Sequence, residues 1–129
     1  MSRDKQRLAD YLSHILEAIE RIGRYTHGMN AEVFLGNQLV QDAVIRNLEI
    51  IGEASRNIEK HYAEFASAHP ELPLAFAYQM RNAVAHGYFK VDFEIVWNTI
   101  ALDLPPLFQH VRQALEALPR EDGGRAAGP

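Results

Sequence analysis

The stretch that decides the fold is residues 37–61, NQLVQDAVIRNLEIIGEASRNIEKH. At the helical step of about 100° per residue, five of its charged side chains fall in one narrow sector, and apolar side chains cover most of the remaining circumference. The charged sector contains Asp42, Arg46, Glu49, Glu53 and Lys60, and the apolar remainder contains Ala43, Val44, Ile45, Leu48, Ile50, Ile51, Ala54 and Ile58. Such a helix needs partners on two sides. The pattern is typical either of a helix between a bundle core and a second subunit, or of a central helix covered within one subunit.

The segment that precedes this stretch is also helical in pattern. From Asp4 to Tyr25, apolar residues recur at steps of three and four, which predicts one amphipathic helix: Leu8, Tyr11, Leu12, Ile15, Ile19 and Ile22. Gly28 and Asn30 then supply residues suited to end one helix and begin the next. A short helical piece is predicted around residues 32–35. Aromatic residues on the apolar stripes of the chain are predicted to lie in the core: Tyr11, Phe34, Trp97 and Phe108.

After the long helix, residues 61–73 are predicted to form a linker, in which Pro70 and Pro73 bracket a turn. A third helix is predicted from about Leu74 to His86, ending near Gly87, a residue suited to a left-handed cap. Asp92 has the chemistry of an N-cap for a further helix over residues 93–100.

The rest of the chain completes an all-α prediction. Residues 103–106, Asp-Leu-Pro-Pro, either kink the preceding helix or start a new one, because proline is tolerated only in a first turn. The last amphipathic stretch contains Leu107, Phe108, Val111, Leu115 and Leu118. We therefore predict one all-α domain over residues 1–118, a bundle of four to five helices. Residues 119–129 lack apolar anchors and are predicted to be a disordered tail.

Composition limits the function classes. The 129 residues include no cysteine, which removes disulfide and thiolate chemistry and fits a reducing compartment. No apolar run approaches the length of a membrane span, so a cytoplasmic protein is expected. The formal net charge of −4 argues against a protein that coats nucleic-acid duplexes, but not against an enzyme that grips one or two phosphates locally.

Chemically reactive side chains concentrate in residues 79–89, QMRNAVAHGYF. RNA cleavage requires a base for the 2′-hydroxyl proton, an acid for the leaving 5′-oxygen and a cation for the negative charge of the transition state. His86 can serve in either proton transfer, and Arg81 offers a permanent bidentate contact to phosphate. If His86 lies in the last turn of a helix, the helix dipole favours its protonated form.

Helical geometry leaves two interpretations of this segment open. Arg81 and His86 are five residues apart, about 140° around an ideal helix, whereas Asn82 and His86 share a face. The reactive pair therefore converges only if the helix loosens before His86 or if the Arg81 side chain curls around it. Alternatively, both side chains simply cap carbonyl groups at a helix C-terminus.

The pattern Arg81-x4-His86-x-Tyr88 resembles the signature of HEPN-domain proteins of the HepT branch, the toxins of HepT–MntA toxin–antitoxin systems. Three further segments resemble the same family: residues 42–54, DAVIRNLEIIGEA; residues 87–97, GYFKVDFEIVW; and residues 104–107, LPPL. Together they cover most of residues 4–118 in order. The segment before the third helix departs from the family pattern, because an aromatic residue, often tryptophan, is expected there and the chain has Pro73-Leu-Ala-Phe76.

The resemblance implies an up-and-down HEPN helical bundle that dimerises through the long helix at 37–61. The dimer would bring two copies of the motif into one cleft. It implies metal-independent endoribonuclease activity on cellular RNA, in some relatives tRNA, with no cofactor. Arg81 and His86 would be catalytic and Asn82 a polar support. The partner would be an MntA-like minimal nucleotidyltransferase antitoxin that transfers AMP from ATP to Tyr88.

Three alternatives remain open at this point. Glu49 and Glu53 either line the dimer cleft and orient Arg81 or His86, or belong to a solvated stripe in which Arg46 pairs with acidic neighbours. The chain as a whole could instead be a non-catalytic helical module that presents substrate or nucleotide to a partner nucleotidyltransferase, or a purely structural dimerisation bundle. The remaining histidines show no ligand cluster, so a structural metal is not expected.

Overall fold

The computed structural model describes residues 2–74 and 91–119, with side chains from residue 7 onward. Within these residues the chain forms helices and no strand. The helices are α1 (Ser2–Tyr25), α2 (Ala31–Leu35), α3 (Gln38–His61), α4 (Ala63–Ala68), α5 (Phe93–Asn98) and α6 (Leu104–Ala117), with a π-helical turn over Thr99–Asp103. The predicted all-α class is confirmed. The predicted tail lies outside the described residues apart from Pro119, and so does the predicted third helix apart from Leu74.

The two longest helices, α1 and α3, form the main packed pair of the bundle. Arg21, late in α1, donates to the side-chain oxygen of Asn47, early in α3, at 3.4 Å. Tyr11, early in α1, packs against Tyr62 just beyond α3, with ring centroids 6.3 Å apart. The two helices therefore run antiparallel. Their buried aliphatic side chains include Leu12, Ile15, Ile22, Val44, Ile51 and Ile58, and each contributes about 1.5–3 kcal/mol when fully removed from water.

Local capping chemistry sets the corner between α1 and α3. Gly28 adopts φ +78, a left-handed conformation that a side chain would disfavour. The Asn30 side chain accepts a hydrogen bond from the Val33 amide at 2.9 Å, and Asn37 accepts from the Val40 amide at 3.0 Å. The predicted break and restart at Gly28 and Asn30 are confirmed.

The prediction of a plain linker over residues 61–73 is wrong, because α4 (Ala63–Ala68) forms within it. Three of its six residues are alanine, the strongest helix former. None of them is buried, so α4 lacks the buried apolar stripe by which longer helices are recognised in sequence.

The segment Asp103-Leu-Pro-Pro106 produces both of the features that were predicted as alternatives. Pro105 and Pro106 lack the backbone N–H groups that would continue the preceding helix. A π-helical turn forms before the two prolines, and in it the Leu104 amide donates to the Thr99 carbonyl, five residues earlier. Since proline is tolerated in a first turn, α6 then begins at Leu104.

Phe34 ties α2 to α5. Its side chain is fully buried, and it contacts Trp97 at 5.3 Å and Phe93 at 6.3 Å between ring centroids. The buried Gln41 side chain donates to the carbonyls of Phe34 and Leu35, both at 3.0 Å. These bonds fasten the end of α2 to α3. Of the four aromatic residues predicted as core, Phe34 is fully buried, and the other three are half-buried at the edge of the core: Tyr11, Trp97 and Phe108.

The charged sector of α3 faces outward, as its periodicity predicts. Asp42, Arg46 and Glu53 are exposed, while the opposite arc of the helix is buried. Ile45 and Ile50 lie on either side of the charged sector and are half-buried. None of the helices in the described residues is long and apolar enough to span a membrane.

Candidate functional site

The four motif residues predicted from sequence, Arg81, Asn82, His86 and Tyr88, lie outside the described residues. The structure does fix the chain on both sides of them. Before the motif, Leu74 is 2% exposed and belongs to the core. After it, the Asp92 carboxylate accepts from the amides of Glu94 and Ile95 at 3.0 and 3.3 Å, which confirms the predicted N-cap of α5.

A polar groove of about 500 Å³ runs between α1 and α3. Its lining residues are Tyr11, His14, Arg46, Glu49, Ile50, Glu53, Ala54 and Asn57. The groove thus contains both glutamates that were predicted as possible cleft residues. On its α1 side, the rings of Tyr11 and His14 meet edge to face at 6.4 Å.

The two glutamates determine what this groove can bind. Arg46 lies 4.0 Å from Glu49, and both side chains are at least one-third exposed, so the pair contributes little to stability. A carboxylate is an acceptor only, and it repels phosphate. The groove already contains one cationic side chain, Arg46, beside Glu49, and its two carboxylates are suited to orient a cationic group rather than to contact the RNA backbone. The predicted interaction of Glu49 or Glu53 with Arg81 or His86 stays a prediction, since both partners lie outside the described residues.

A second polar cluster lies immediately before Leu74. His69 stacks on Phe65, with ring centroids 4.3 Å apart, and its Nδ1 lies 2.9 Å from Oε2 of Glu71. Because a carboxylate can only accept, Nδ1 is the donor. This hydrogen bond lowers the pKa of Glu71 below its ordinary value, as do its backbone hydrogen bond and the nearby His110, with desolvation opposing them.

Glu71 also lines a cavity of about 300 Å³ at the junction of α3, α6 and the π-helical turn. The floor is apolar and belongs to the core, and the polar groups lie around it. The lining residues are Leu48, Ile51, Glu71, Pro73, Thr99, Asp103, Leu104, Pro106, Leu107 and His110. Within the part of the chain that the structure describes, no three His, Asp or Glu side chains are arranged to hold a metal ion.

Sequence reasoning did not identify this cavity. His69 and Glu71 are two residues apart in the predicted linker, and His110 lies 39 residues after Glu71. A local signal existed in His69-Pro70-Glu71, because a proline-containing turn can place its flanking side chains on one side. The contribution of α6 was not visible, since it depends on the packing of helices distant in sequence.

Comparisons with known proteins agree on one family. Residues 15–114 match the family described as ribonuclease HepT-like. The chain is similar to "Probable ribonuclease HepT" of Thermococcus cleftensis, with 46% identity over 98 residues, 76% of this chain and 86% of that protein. It is 36% identical over 106 residues to a "Putative RNase" of Caldanaerobacter subterraneus subsp. tengcongensis, covering 82% of this chain and 92% of that protein.

A third relative is longer. "Gamma-glutamylcyclotransferase and putative RNase" of Methanocaldococcus jannaschii is 35% identical over 115 residues, which are 89% of this chain and 50% of that protein. No solved structure matches the chain.

Proposed function

We propose that this chain, which belongs to the HepT-like ribonuclease family, is a metal-independent endoribonuclease and the toxin of a toxin–antitoxin pair. The observation that carries the proposal is the motif Arg81-x4-His86-x-Tyr88, which lies inside the matched residues 15–114. The relatives support a ribonuclease assignment. Two of them are named as a probable and a putative ribonuclease, and they align with 76% and 82% of this chain.

The proposed reaction is attack by the substrate's own 2′-hydroxyl oxygen on the adjacent phosphorus. The 2′-oxygen loses its proton as the new P–O bond forms, and the bond to the 5′-oxygen breaks as that oxygen gains a proton. His86 transfers one of these protons, and Arg81 stabilises the charge that accumulates on the phosphoryl oxygens. Asn82 supports the pair by hydrogen bonding. The products are a 2′,3′-cyclic phosphate and a free 5′-hydroxyl.

The groove between α1 and α3 supports a role for Glu49 and Glu53 in this site. An arginine that must contact phosphate bidentately needs its guanidinium held in one plane, and a carboxylate supplies that restraint. We assign these glutamates as positioning residues for Arg81. Glu53→Gln should lower the cleavage rate while Arg81 is retained, whereas Glu59→Gln on the same helix should leave it unchanged.

Incubation with total RNA tests the nuclease proposal. Arg81→Ala and His86→Ala should lose cleavage, while the matched exposed controls Arg112→Ala and His27→Ala should retain it. Cleavage should persist in excess EDTA, and end-mapping should find cyclic phosphates. If His86→Ala cleaves as fast as the wild type, the proposed site is wrong. If no variant and no wild-type preparation cleaves RNA, the non-catalytic binding module becomes the better account.

Dimerisation through α3 is part of the same proposal. Ile45 and Ile50 lie at the edges of its charged sector and are only half-buried, so a second subunit could complete their burial. Ile45→Glu should convert a dimer into a monomer in sedimentation velocity and abolish cleavage together with it. A dimer that persists in this variant would place the interface elsewhere.

The proposed antitoxin is a minimal nucleotidyltransferase that modifies Tyr88. The phenolic oxygen of Tyr88 attacks the α-phosphorus of ATP, the bond to the β-phosphate breaks, pyrophosphate leaves and the phenolic proton is lost. The attached AMP adds bulk and a negative phosphodiester near Arg81, where the RNA phosphate would bind, so it blocks the site by size and by charge.

Mass spectrometry after incubation with the cognate nucleotidyltransferase and ATP tests this regulation. Wild-type protein should gain AMP and lose cleavage activity. Tyr88→Phe should gain none and remain active, whereas the exposed control Tyr25→Phe should be modified and silenced like the wild type. Silencing of Tyr88→Phe by the antitoxin would refute the assigned modification site and leave the nuclease proposal intact.

A further inference from the structure

The cavity next to Glu71 combines apolar walls with polar groups that, among the described residues, are mostly hydrogen-bond acceptors. Leu48, Ile51, Leu104 and Leu107 form its floor, and all four are at most 5% exposed. Pro73 and Pro106 add rigid, apolar rings to the wall. A volume of about 300 Å³ is at the lower end of small-ligand pockets and is adequate for a single planar ring system.

Within the described part of the lining, Glu71, Asp103 and Thr99 offer hydrogen-bond acceptors, and His110 is the side chain that can also donate. The Thr99 hydroxyl donates its hydrogen to the Ile95 carbonyl at 2.9 Å, so its oxygen is left to accept. Asp103 stands at the start of α6 but makes no side-chain capping bond there. Glu71 accepts from His69 through Oε2, and a carboxylate has about four acceptor positions in total. A ligand that fits must therefore bring donors.

The electrostatic state of Glu71 agrees with this requirement. The hydrogen bond from His69 lowers the pKa of Glu71, so the carboxylate remains ionised, and an acceptor, throughout the neutral range. Three more ionisable groups lie near it: His69 and Asp103 on neighbouring segments, and His110 on α6.

Guanine is the nucleobase whose donors match such a cavity. It has two adjacent donors on one edge, the ring N1–H and the exocyclic N2 amino group, and a carboxylate can accept from both. Adenine and cytosine place a ring acceptor beside their amino group, which a carboxylate repels, and uracil offers a single N–H between two carbonyls. Unpaired bases of RNA are commonly read in this way, by apolar packing and hydrogen bonds to their edges.

We infer that this cavity binds an unpaired guanine of the RNA substrate, with Glu71 as its main acceptor and Asp103 and Thr99 as additional acceptors. The inference rests on the proposed ribonuclease function, and it assigns that function a base preference. The position of the cavity supports it, because Pro73 in its wall is eight residues before Arg81 along the chain. A base held here would select which phosphodiester reaches the motif.

Binding of free nucleosides tests the cavity independently of cleavage. The full chain is labelled at leucine and isoleucine methyl groups and titrated with guanosine, adenosine, cytidine or uridine, which carry no phosphate to be repelled by the carboxylates. Guanosine should shift the methyl signals of Leu104, Leu107 and Ile51 and saturate, and inosine, which lacks the N2 amino group, should bind more weakly. Equal shifts with all nucleosides, or none with guanosine, would overturn the inference.

Substitutions assign the acceptors. Glu71→Gln keeps the shape of the side chain and should weaken guanosine binding by about tenfold or more, the loss expected for one hydrogen bond to a charged group. Asp103→Asn should weaken it to a smaller extent. Glu116→Gln, on the far part of α6 and paired with Arg112, is the matched control and should bind guanosine like the wild type. Agmatine serves as a cationic probe. If agmatine gives saturating shifts of the same methyl signals and guanosine gives none, the cavity binds an amine and the inference is wrong.

Cleavage mapping separates failure of the inference from failure of the proposed function. On an RNA of mixed sequence, the wild type should cut preferentially beside guanines, and Glu71→Gln should cut with a flatter base preference. If the wild type cuts without preference and binds no guanosine, the cavity assignment is wrong and the nuclease remains. If guanosine binds through Glu71 but RNA stays intact, the nuclease proposal fails and the binding site remains.

Discussion

Replacing Phe34 by alanine should destabilise the fold more than any other change within the short helix α2. The Phe34 side chain is completely buried, and it joins α2 to the two rings of α5, Phe93 and Trp97. Removing a buried phenylalanine costs about 3–5 kcal/mol, of which the lost ring contacts account for about 1 kcal/mol. Against a total stability of about 5–15 kcal/mol for a domain, this is at least about a fifth of the total.

Urea denaturation measures the effect directly, and Trp97 is the single tryptophan of the chain, so its fluorescence reports on the contact itself. With a slope of about 1–3 kcal/mol per molar urea, the midpoint should fall by about 2 M. Phe34→Leu, which retains most of the apolar volume, should lose only about 1 kcal/mol and keep the experiment interpretable if the alanine variant fails to fold. The half-exposed neighbour Val33 is the matched control, because its replacement by alanine leaves the core intact.

The same substitution bears on function, because α5 begins at Phe93, five residues after the motif tyrosine Tyr88. Loosening α5 should lower the rate of RNA cleavage at urea concentrations where the protein is still folded. A Phe34→Ala variant no less stable than Val33→Ala would refute the placement of Phe34 as the link between α2 and α5.

The other predictions concern single interactions. Asp92→Ala removes the N-cap of α5 and should cost about 1 kcal/mol by urea denaturation, whereas Asp42→Ala, exposed in the second turn of α3, should cost less than half of that. Gln41→Met leaves the Leu35 carbonyl without its side-chain donor and should cost about 1–3 kcal/mol, measured in the same way. Because folding lowers the pKa of Glu71 from its ordinary 4.5, its contribution to stability is present above that pH and is lost as the pH falls below it. An acid titration followed by circular dichroism should therefore show a shallower loss of stability for Glu71→Gln, and an unchanged acid transition would contradict the His69–Glu71 bond. Single-stranded RNA binding by a cleavage-inactive His86→Ala variant should depend weakly on salt, with a logarithmic slope of about −0.7 to −1.4 for one or two phosphate contacts. A much steeper slope would indicate an extended basic interface.

Local chemistry explains why most of the fold was predictable. The caps at Asn30 and Asp92 depend only on side chains and amides within three residues of each other, so a short window of sequence contains the whole interaction. The apolar stripes of α1 and α3 could also be recognised in the sequence, because the apolar residues of a long helix repeat over several turns. Two prolines at residues 105 and 106 predicted an interruption of the preceding helix. The sequence alone did not show that a π-helical turn and the start of a new helix would both form there.

Features built from distant segments were not predictable in this way. The α4 helix has no buried face, so no apolar period marks it. The cavity beside Glu71 is lined by residues of α3, of the turn after α4 and of α6. The sequence pattern does not indicate that these distant segments lie next to one another. The motif at residues 81–88 is the opposite case. Its residues and its resemblance to the HepT family predict a chemistry, whereas the convergence of Arg81 and His86 depends on tertiary contacts that the spacing does not contain.

The acidic character of the chain is consistent with a ribonuclease once the roles of the carboxylates are separated. A net charge of −4 would hinder a protein that holds RNA by its backbone along an extended surface. In the proposed site, however, Glu49 and Glu53 face a groove suited to a cationic side chain, and Glu71 faces a cavity suited to the donor edge of a base. Neither role requires a carboxylate to approach phosphate. Arg81 then makes the contact to the RNA backbone. In this proposal the sequence specificity depends on which base fits the cavity, and not on the electrostatic attraction between the protein and the RNA strand.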